Sequence, residues 1–426
     1  MNNHHAAGRP LAPARCRFCD GPLSIDFCDL GATPLANSYV DPTNAGVPDA
    51  RFPLHARVCE VCFLVQLAYT ADAAAIFSDY AYFSSFSAGW VAHAAQFLRQ
   101  ATERLSLGPR TLVVEVASND GYLLKHCVAA GIPCLGVEPA ANVAAAAVAA
   151  GVPTMVRFFG VEAARDIVAD RGHAALVVAN NVLAHVPDVN DFVAGLALLA
   201  GPRGVVSIEA PHLVRLVADC QFDTIYHEHY AYWSLLAMSK VLAAHGLRVF
   251  DVQPLPTHGG SLRVLACATS APGHAPTAGM AQVQAGEAAL GVGSASYYRG
   301  FGPRVGQLLA GARDYLASAR HHGWRVAGYG AAAKGNTFLN SLGATAADLL
   351  FVADRNPAKQ GRLLPGSRIP VLSPEAVFEQ QPDVLLVLPW NLADEVATEM
   401  AGIAAWGGRF AVAMPAMREF AAVPLP

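Results

Sequence analysis

The stretch Thr111-Leu-Val-Val-Glu-Val-Ala-Ser-Asn-Asp-Gly121 decides the fold. Leu112 to Val116 is an apolar run of the kind a buried parallel strand carries. Ser118-Asn119-Asp120-Gly121 then reads as a turn, and Tyr122 to Ala130 as a helix. A second strand, Pro133-Cys134-Leu135-Gly136-Val137, ends at Glu138. An acid there suits two ribose hydroxyls. The Gly-x-Gly-x-x-Gly of a dinucleotide loop is absent, because Ala117 and Ser118 stand where its first glycines would and only Gly121 remains. A pyrophosphate needs close backbone approach, so the loop disfavours NAD. S-adenosylmethionine carries no phosphate and tolerates it.

Working outward, Ala175 to Ala179, followed by Asn180-Asn181, and Gly204 to Glu209 supply further strands. The alternation predicts a doubly wound α/β sheet. Upstream, residues 71 to 107 read mostly as helix. Downstream, residues 271 to 279 read as a linker and residues 281 to 322 as helix. A second Rossmann-like unit then begins at Trp324, with Gly328-Tyr-Gly330 and Lys334 as an anion loop. Its strands continue at Leu350 to Asp354 and Val384 to Leu388.

Two pairs, Cys16-Arg-Phe-Cys19 and Cys59-Glu-Val-Cys62, lie before the first α/β unit. This spacing predicts a closed Cys₄ site for structural zinc, with a small subdomain between the pairs. Unrelated pairs or a disulfide are the alternatives. The expected domains are zinc-binding over 14–70, the α/β core over 71–270 and the C-terminal unit over 280–426.

At 426 residues the chain is too long for a single core. No apolar run is long and charge-free enough for a membrane span. The N-terminus lacks a signal peptide's apolar core, which points to the cytoplasm. Net charge is −4, with four lysines beside 25 arginines and no long basic run, which argues against nucleic acid as a partner. A monomer is expected.

Phe222 to Trp233 concentrates Tyr226, His227, Glu228 and His229 in one segment. Imidazole accepts protons near neutrality and tyrosine donates to oxyanions. His227 and His229 lie two apart, so they do not form an H-E-x-x-H metal site. His185 and the run His258-Gly259-Gly260-Ser261 add polar groups.

Together, the cysteine knuckles, 115–124, 180–188, 222–229 and 257–264 resemble the deoxysugar C-methyltransferases. The resemblance implies a class I methyltransferase core between a zinc domain and a C-terminal Rossmann-like domain. It implies S-adenosylmethionine as methyl donor and a nucleotide-sugar substrate, a dTDP-linked 4-keto-deoxysugar methylated at carbon 3 in antibiotic biosynthesis. Tyr80 resembles the family's tyrosine near the donor. Tyr226, Glu228 and His229 resemble its substrate-side groups, with His229 as base, and Asn181 and His185 line the same cleft. The methyl-donor set is then Glu115, Ala117, Ser118, Asn119, Gly121, Tyr122, Glu138, Phe158, Asn180 and Asn181. Phe158 falls where an acid beside the adenine is expected. His258, Gly259, Lys334, Asn336 and Asp354 are the expected substrate-binding set. Methylation of another acceptor, an NAD-dependent sugar oxidoreductase and a non-catalytic zinc and nucleotide binder are the competing readings.

Overall fold

The computed structural model describes residues 15–69 and 83–421. Three sheets carry the chain. The first begins with antiparallel strands β1 (Ile25–Thr33), β2 (Phe52–Val58) and β3 (Val65–Leu67). The second begins with five parallel strands, β4 (Val113–Val116), β5 (Cys134–Val137), β6 (Thr154–Met155), β7 (Leu176–Asn180) and β8 (Val205–Pro211). The short strand β9 (Ala231–Tyr232) then returns to the first sheet and pairs with β3. β10 (Leu247–Leu255) and β11 (Ser261–Ala268) form a hairpin that closes the second sheet.

The second sheet has the order β6-β5-β4-β7-β8-β11-β10, with β11 antiparallel to both neighbours. It is a Rossmann-like sheet with an appended hairpin, the class I methyltransferase arrangement that the sequence predicts. The hairpin itself has no counterpart in the sequence reading. Buried on both faces, the strands alternate sides. Val113, Leu176 and Val178 pack with the helix Ala88–Leu105, while Val114, Val116 and Val177 pack with the helix Val189–Ala200. The expected helix at 122–130 is confined to Leu124–Ala129, and residues 70–82, which include Tyr80, lie outside the described residues.

The third sheet holds β12 (Val326–Tyr329), β13 (Val352–Ala353), β14 (Val371–Leu372), β15 (Val384–Val387), β16 (Arg409–Val412) and β17 (Arg418–Phe420). Its order is β14-β13-β12-β15-β16-β17, parallel except at β17. The helical stretch before it is broken by Gly291 and Gly300 into Ala278–Leu290, Ala295–Arg299 and Phe301–His321. The Pro/Gly-rich segment ahead of these helices is held in place: Arg248 donates to the carbonyls of His274 and Ala271 at 2.6 and 3.0 Å.

β1 joins the first sheet to these helices. Phe27 stacks on Phe301 at 4.4 Å and meets Tyr298 edge-on at 6.3 Å. All three rings are almost fully buried. Val40 and Leu363 form an antiparallel bridge, and Arg368 pairs with Asp49. The first sheet therefore contacts both larger units. Among the described residues no helix is long and apolar enough to cross a membrane. Phe27→Ala should lower stability by about 3–5 kcal/mol, the usual cost of removing a buried phenylalanine ring. Urea unfolding of purified protein measures it, and a shift below about 1 kcal/mol would show that the Phe27 stack does not hold the units together.

Candidate functional site

The site begins where β4, β5 and β7 end. The loop after β4 turns sharply: Ala117, Asn119 and Gly121 take left-handed φ angles of 55°, 51° and 77°. For an alanine this costs roughly 1–2 kcal/mol. Glu138 stabilises the loop, accepting from the Asn119 amide at 3.0 Å and the Ala140 amide at 2.9 Å. Burial raises its pKa, and these two bonds oppose the rise. Glu115 is fully buried; burial raises its pKa well above the carboxylate range, opposed by the Tyr122 hydroxyl. Ser118 turns inward, so that a Cβ on Gly136 would lie 2.4 Å from its Oγ. Among the described residues the buried Oδ1 atoms of Asn180 and Asn181 have no hydrogen-bond partner, as a ligand-facing surface would. Phe158 is exposed. These groups fit an adenosyl ligand: an acid after the second strand, a tight loop over it, and unsatisfied amide oxygens at the strand ends.

The segment 222–232 forms the opposite wall. His229 Nδ1 lies 2.7 Å from the Thr224 carbonyl, and its Nε2 lies 2.8 Å from the Tyr226 hydroxyl. A carbonyl only accepts, so Nδ1 carries the proton and Nε2 accepts from Tyr226. Burial, with the charge of His185 adding to it, holds the His229 pKa well below 6.5. His185 Nδ1 donates to the Glu228 carbonyl at 2.8 Å, its ring lies 4.7 Å from that of His229, and burial lowers its pKa to about 4. Glu228 turns away from His229. Its carboxylate accepts from Asn37 at 2.7 Å, and burial raises its pKa to about 7. His227 meets the Phe52 carbonyl at 3.3 Å.

This wall rests on the first sheet. β9 adds to β3 as Val65↔Tyr232 and Gln66↔Ala231, and the Leu67 amide donates to the Tyr230 carbonyl at 3.0 Å. Arg17, inside the first cysteine pair, donates to the Tyr230 and Leu67 carbonyls at 2.6 and 3.0 Å. The four cysteine sulfurs lie within 4.8 Å of one another, with Cys16–Cys62 and Cys19–Cys59 at 3.5 Å. A zinc tetrahedron with bonds near 2.3 Å has edges of roughly 3.8 Å, so Cys16, Cys19, Cys59 and Cys62 fit that ion. Gly21 is needed here, since a Cβ on it would sit 3.1 Å from Cys59 Sγ and 3.3 Å from Cys19 Sγ.

The C-terminal residues behave differently from the anion loop that the sequence suggests. A Cβ on Gly330 would lie 2.5 Å from Pro389 Cδ, so the close packing of the proline ring by itself requires glycine there. The Gly330 amide is already bonded to Ala353 at 2.7 Å. Asn336 spends its amide on the Ala36 carbonyl at 2.6 Å, and Asp354 pairs with Lys359 at 3.3 Å. Lys334 leaves the loop and stands 5.2 Å over the Trp390 ring. His258 takes a left-handed φ of 54°, and its Nε2 lies 3.3 Å from Asn181 Nδ2. Gly259 is packed under Trp390.

Three family models match the chain: a zinc binding domain over residues 16–77, a methyltransferase domain over 90–252, and a C-methyltransferase C-terminal domain over 256–415. The C-methyltransferase NovU of Streptomyces niveus is 35% identical over 407 residues, covering 96% of this chain and 97% of its own. The chain belongs to the C-methyltransferase family. Among solved structures, the magnesium protoporphyrin IX methyltransferase of Synechocystis PCC 6803 with bound SAM is 17% identical, with TM-score 0.30, covering 42% of this chain and 80% of its own. The PH0226 protein of Pyrococcus horikoshii is 10% identical, with TM-score 0.36, covering 47% and 100%.

The methyltransferase is thus S-adenosylmethionine-dependent, and its four-cysteine cluster lies in a zinc-binding domain. β11 falls within the span matched as C-terminal domain, yet it pairs in the core sheet. The site also uses residues that sequence reasoning passed over. Glu209 pairs with Arg263 at 2.7 Å, meets His93 at 2.9 Å and accepts from Thr257 at 3.0 Å. Burial opposes the charge on Glu209, but His93 and Arg263 hold its pKa below the ordinary value. Trp90 stacks on His93 and Tyr122 at 5.0 and 6.0 Å and meets His258 at a tilt, 5.2 Å away. Asn37 and Trp390 arrive from distant segments. The only signal for any of these was the Thr-His-Gly-Gly-Ser-Leu-Arg run, which contains both Thr257 and Arg263.

Stripping the zinc with a strong chelator should release one equivalent per chain, read by elemental analysis, and abolish methyl transfer because β9 loses its sheet. A chelated protein that stays fully active would separate the metal from the wall it supports.

Proposed function

We propose that the methyltransferase places its methyl group on carbon 3 of a nucleotide-linked, dTDP-linked, 4-keto-deoxysugar through an enolate. The Tyr226–His229 dyad carries this reading. A carbon beside a ketone is not nucleophilic until a proton leaves, and the dyad supplies a base whose imidazole lies 4.7 Å from that of His185, just beyond the end of β7. His229 Nε2 is engaged by Tyr226, so the phenol stands between the imidazole and any ligand. Tyr226 takes the carbon-bound proton while passing its own to His229. The Thr224 carbonyl holds His229 in the required tautomer and steadies the imidazolium that forms. The low pKa of His229 keeps it unprotonated, and therefore ready, throughout the neutral range.

S-adenosylmethionine supplies an electrophilic methyl on a sulfonium. Glu138 holds its ribose, the 117–121 loop and Glu115 line its approach, and Asn180 and Asn181 face it from β7. We assign Glu228, fixed by Asn37, to a polar substituent of the sugar. Its carboxylate is nearly fully buried and no cation pairs with it among the described residues. His258 and Asn181 form the floor between the two ligands. Tyr80, beside the donor by resemblance, lies outside the described residues. Asn336 and Asp354 keep structural duties in this reading, because both are bonded within the protein.

Two measurements test it. Glu138→Gln should weaken S-adenosylhomocysteine binding by about tenfold or more, the worth of a charge-assisted hydrogen bond, in calorimetry. Unchanged affinity would remove Glu138 from the donor site. Tyr226→Phe and His229→Asn should each reduce deuterium exchange at the carbon beside the ketone by about 100-fold or more while both ligands still bind. Exchange at the wild-type rate in either variant would dismiss the dyad, and methylation of a sugar without any such exchange would point to an oxygen or nitrogen acceptor.

A further inference from the structure

The C-terminal domain reaches the catalytic wall through Trp390, with Lys334 over its ring. Trp390 Nε1 donates to Asp223 Oδ2 at 2.9 Å. The far edge of its indole lies over Gly259, where a Cβ would come within 2.4 Å of Cη2. The ring therefore spans from the neighbour of Thr224, whose carbonyl fixes His229, to the neighbour of His258, which meets Asn181. Lys334 Nζ stands above that ring, 5.2 Å from its centre. Among the described residues the ammonium makes no hydrogen bond and no ion pair. Asp223 is the acid that acts on it electrostatically, and its Oδ2 is already taken by Trp390.

A second cationic side chain near the cleft, Arg263, pairs with Glu209 at 2.7 Å through Nη2. Lys334 is a half-buried cation with no counterion in contact among the described residues. Burial lowers its pKa, and the ring beneath it reaches Asp223 at one end and Gly259 at the other, the neighbours of Thr224 and His258. Withdrawing a cation from water without a partner is costly. Such a cost is sustained where a negative group arrives during function.

In the proposed reaction one atom gains negative charge, the ketone oxygen. We propose that Lys334 is a catalytic residue of this methyltransferase, whose ammonium binds the ketone oxygen and holds its charge as the enolate forms. The inference rests on the enolate reading above. In the step, the C–H electron pair becomes the carbon–carbon double bond, and the carbonyl π pair moves to the oxygen beside Lys334. The proton passes to Tyr226 as the phenol proton passes to His229 Nε2. Lys334 keeps its own proton throughout. The nucleotide's diphosphate, by contrast, carries the same charge before and during the reaction, so a phosphate-binding lysine would act on affinity and an enolate-binding lysine on rate.

The test uses the full-length zinc protein with S-adenosylhomocysteine bound and a dTDP-linked 4-keto-6-deoxysugar in deuterated water. Wild-type exchange beside the ketone establishes the enolate reading; its absence defeats that reading and this inference with it. Given wild-type exchange, Lys334→Met should lose about 100-fold or more in exchange and in methyl transfer, with dTDP affinity within about twofold of wild type. Lys334→Arg, which retains the charge, should recover part of the exchange. Exchange within about threefold of wild type in Lys334→Met overturns the proposal. Weakened dTDP binding with an intact rate does the same and returns the lysine to the diphosphate. Should Lys334→Met fail to fold, Lys334→Arg and Lys334→Gln decide, since only charge separates their expected exchange rates.

Discussion

Strand addition between β3 and β9 is the constraint on which the site depends. The segment 226–232 has little regular structure of its own. Its two-residue strand exists because Val65 and Gln66 offer an edge, and Arg17 bonds the adjoining carbonyl. That edge belongs to a sheet too small to bury a sufficient core, the usual circumstance in which a metal substitutes for hydrophobic area. A zinc ion would act on this segment through backbone hydrogen bonds: it would fix the knuckles, the knuckles the sheet, and the sheet the strand that follows Tyr226 and His229.

A second regularity is the treatment of buried charge. Glu209 pairs with Arg263 and His93 beneath the cleft, and Glu287 pairs with His212 and accepts from the amides of Leu235 and Leu236. These groups sit where the β10–β11 hairpin and the helix after it meet the core, so they set the angle of the floor. Left-handed backbone at Ala117, Asn119, Asn181 and His258 lies at the loops around the cleft. Strain of this kind collects where geometry serves a ligand, since the surrounding packing over-determines it.

Much of this was legible from residue order. Local patterns gave the β-α-β units, because parallel strands buried on both faces are written as continuous apolar runs, as in Val113 to Val116. The zinc cluster was legible because C-x-x-C spacing is itself a geometric statement. The Tyr226–His229 pair was visible as composition, but its direction was not: the hydroxyl-to-imidazole order depends on the Thr224 carbonyl, and backbone acceptors have no sequence signal. The anion-loop reading of residues 328–336 rests on a pattern that sterics also explain. Gly328 and Gly330 are glycines because Val352 and Pro389 press on them, and a Gly-x-Gly looks the same whether its space is kept for phosphate or filled by a neighbour. The cross-domain contacts of Asn37 and Trp390 were invisible because no periodicity links positions so far apart.

The borrowed strand also has a consequence in time. The four cysteines are all synthesised by residue 62, so a nascent chain can capture its metal early. The sheet around that metal stays one strand short until residues 231 and 232 emerge, after most of the core sheet has been made. Until then β3 presents an open edge, the kind of surface on which stray strands pair. Folding order is therefore imposed by pairing distance: the first module to bind its ion completes its fold only after the core reaches it.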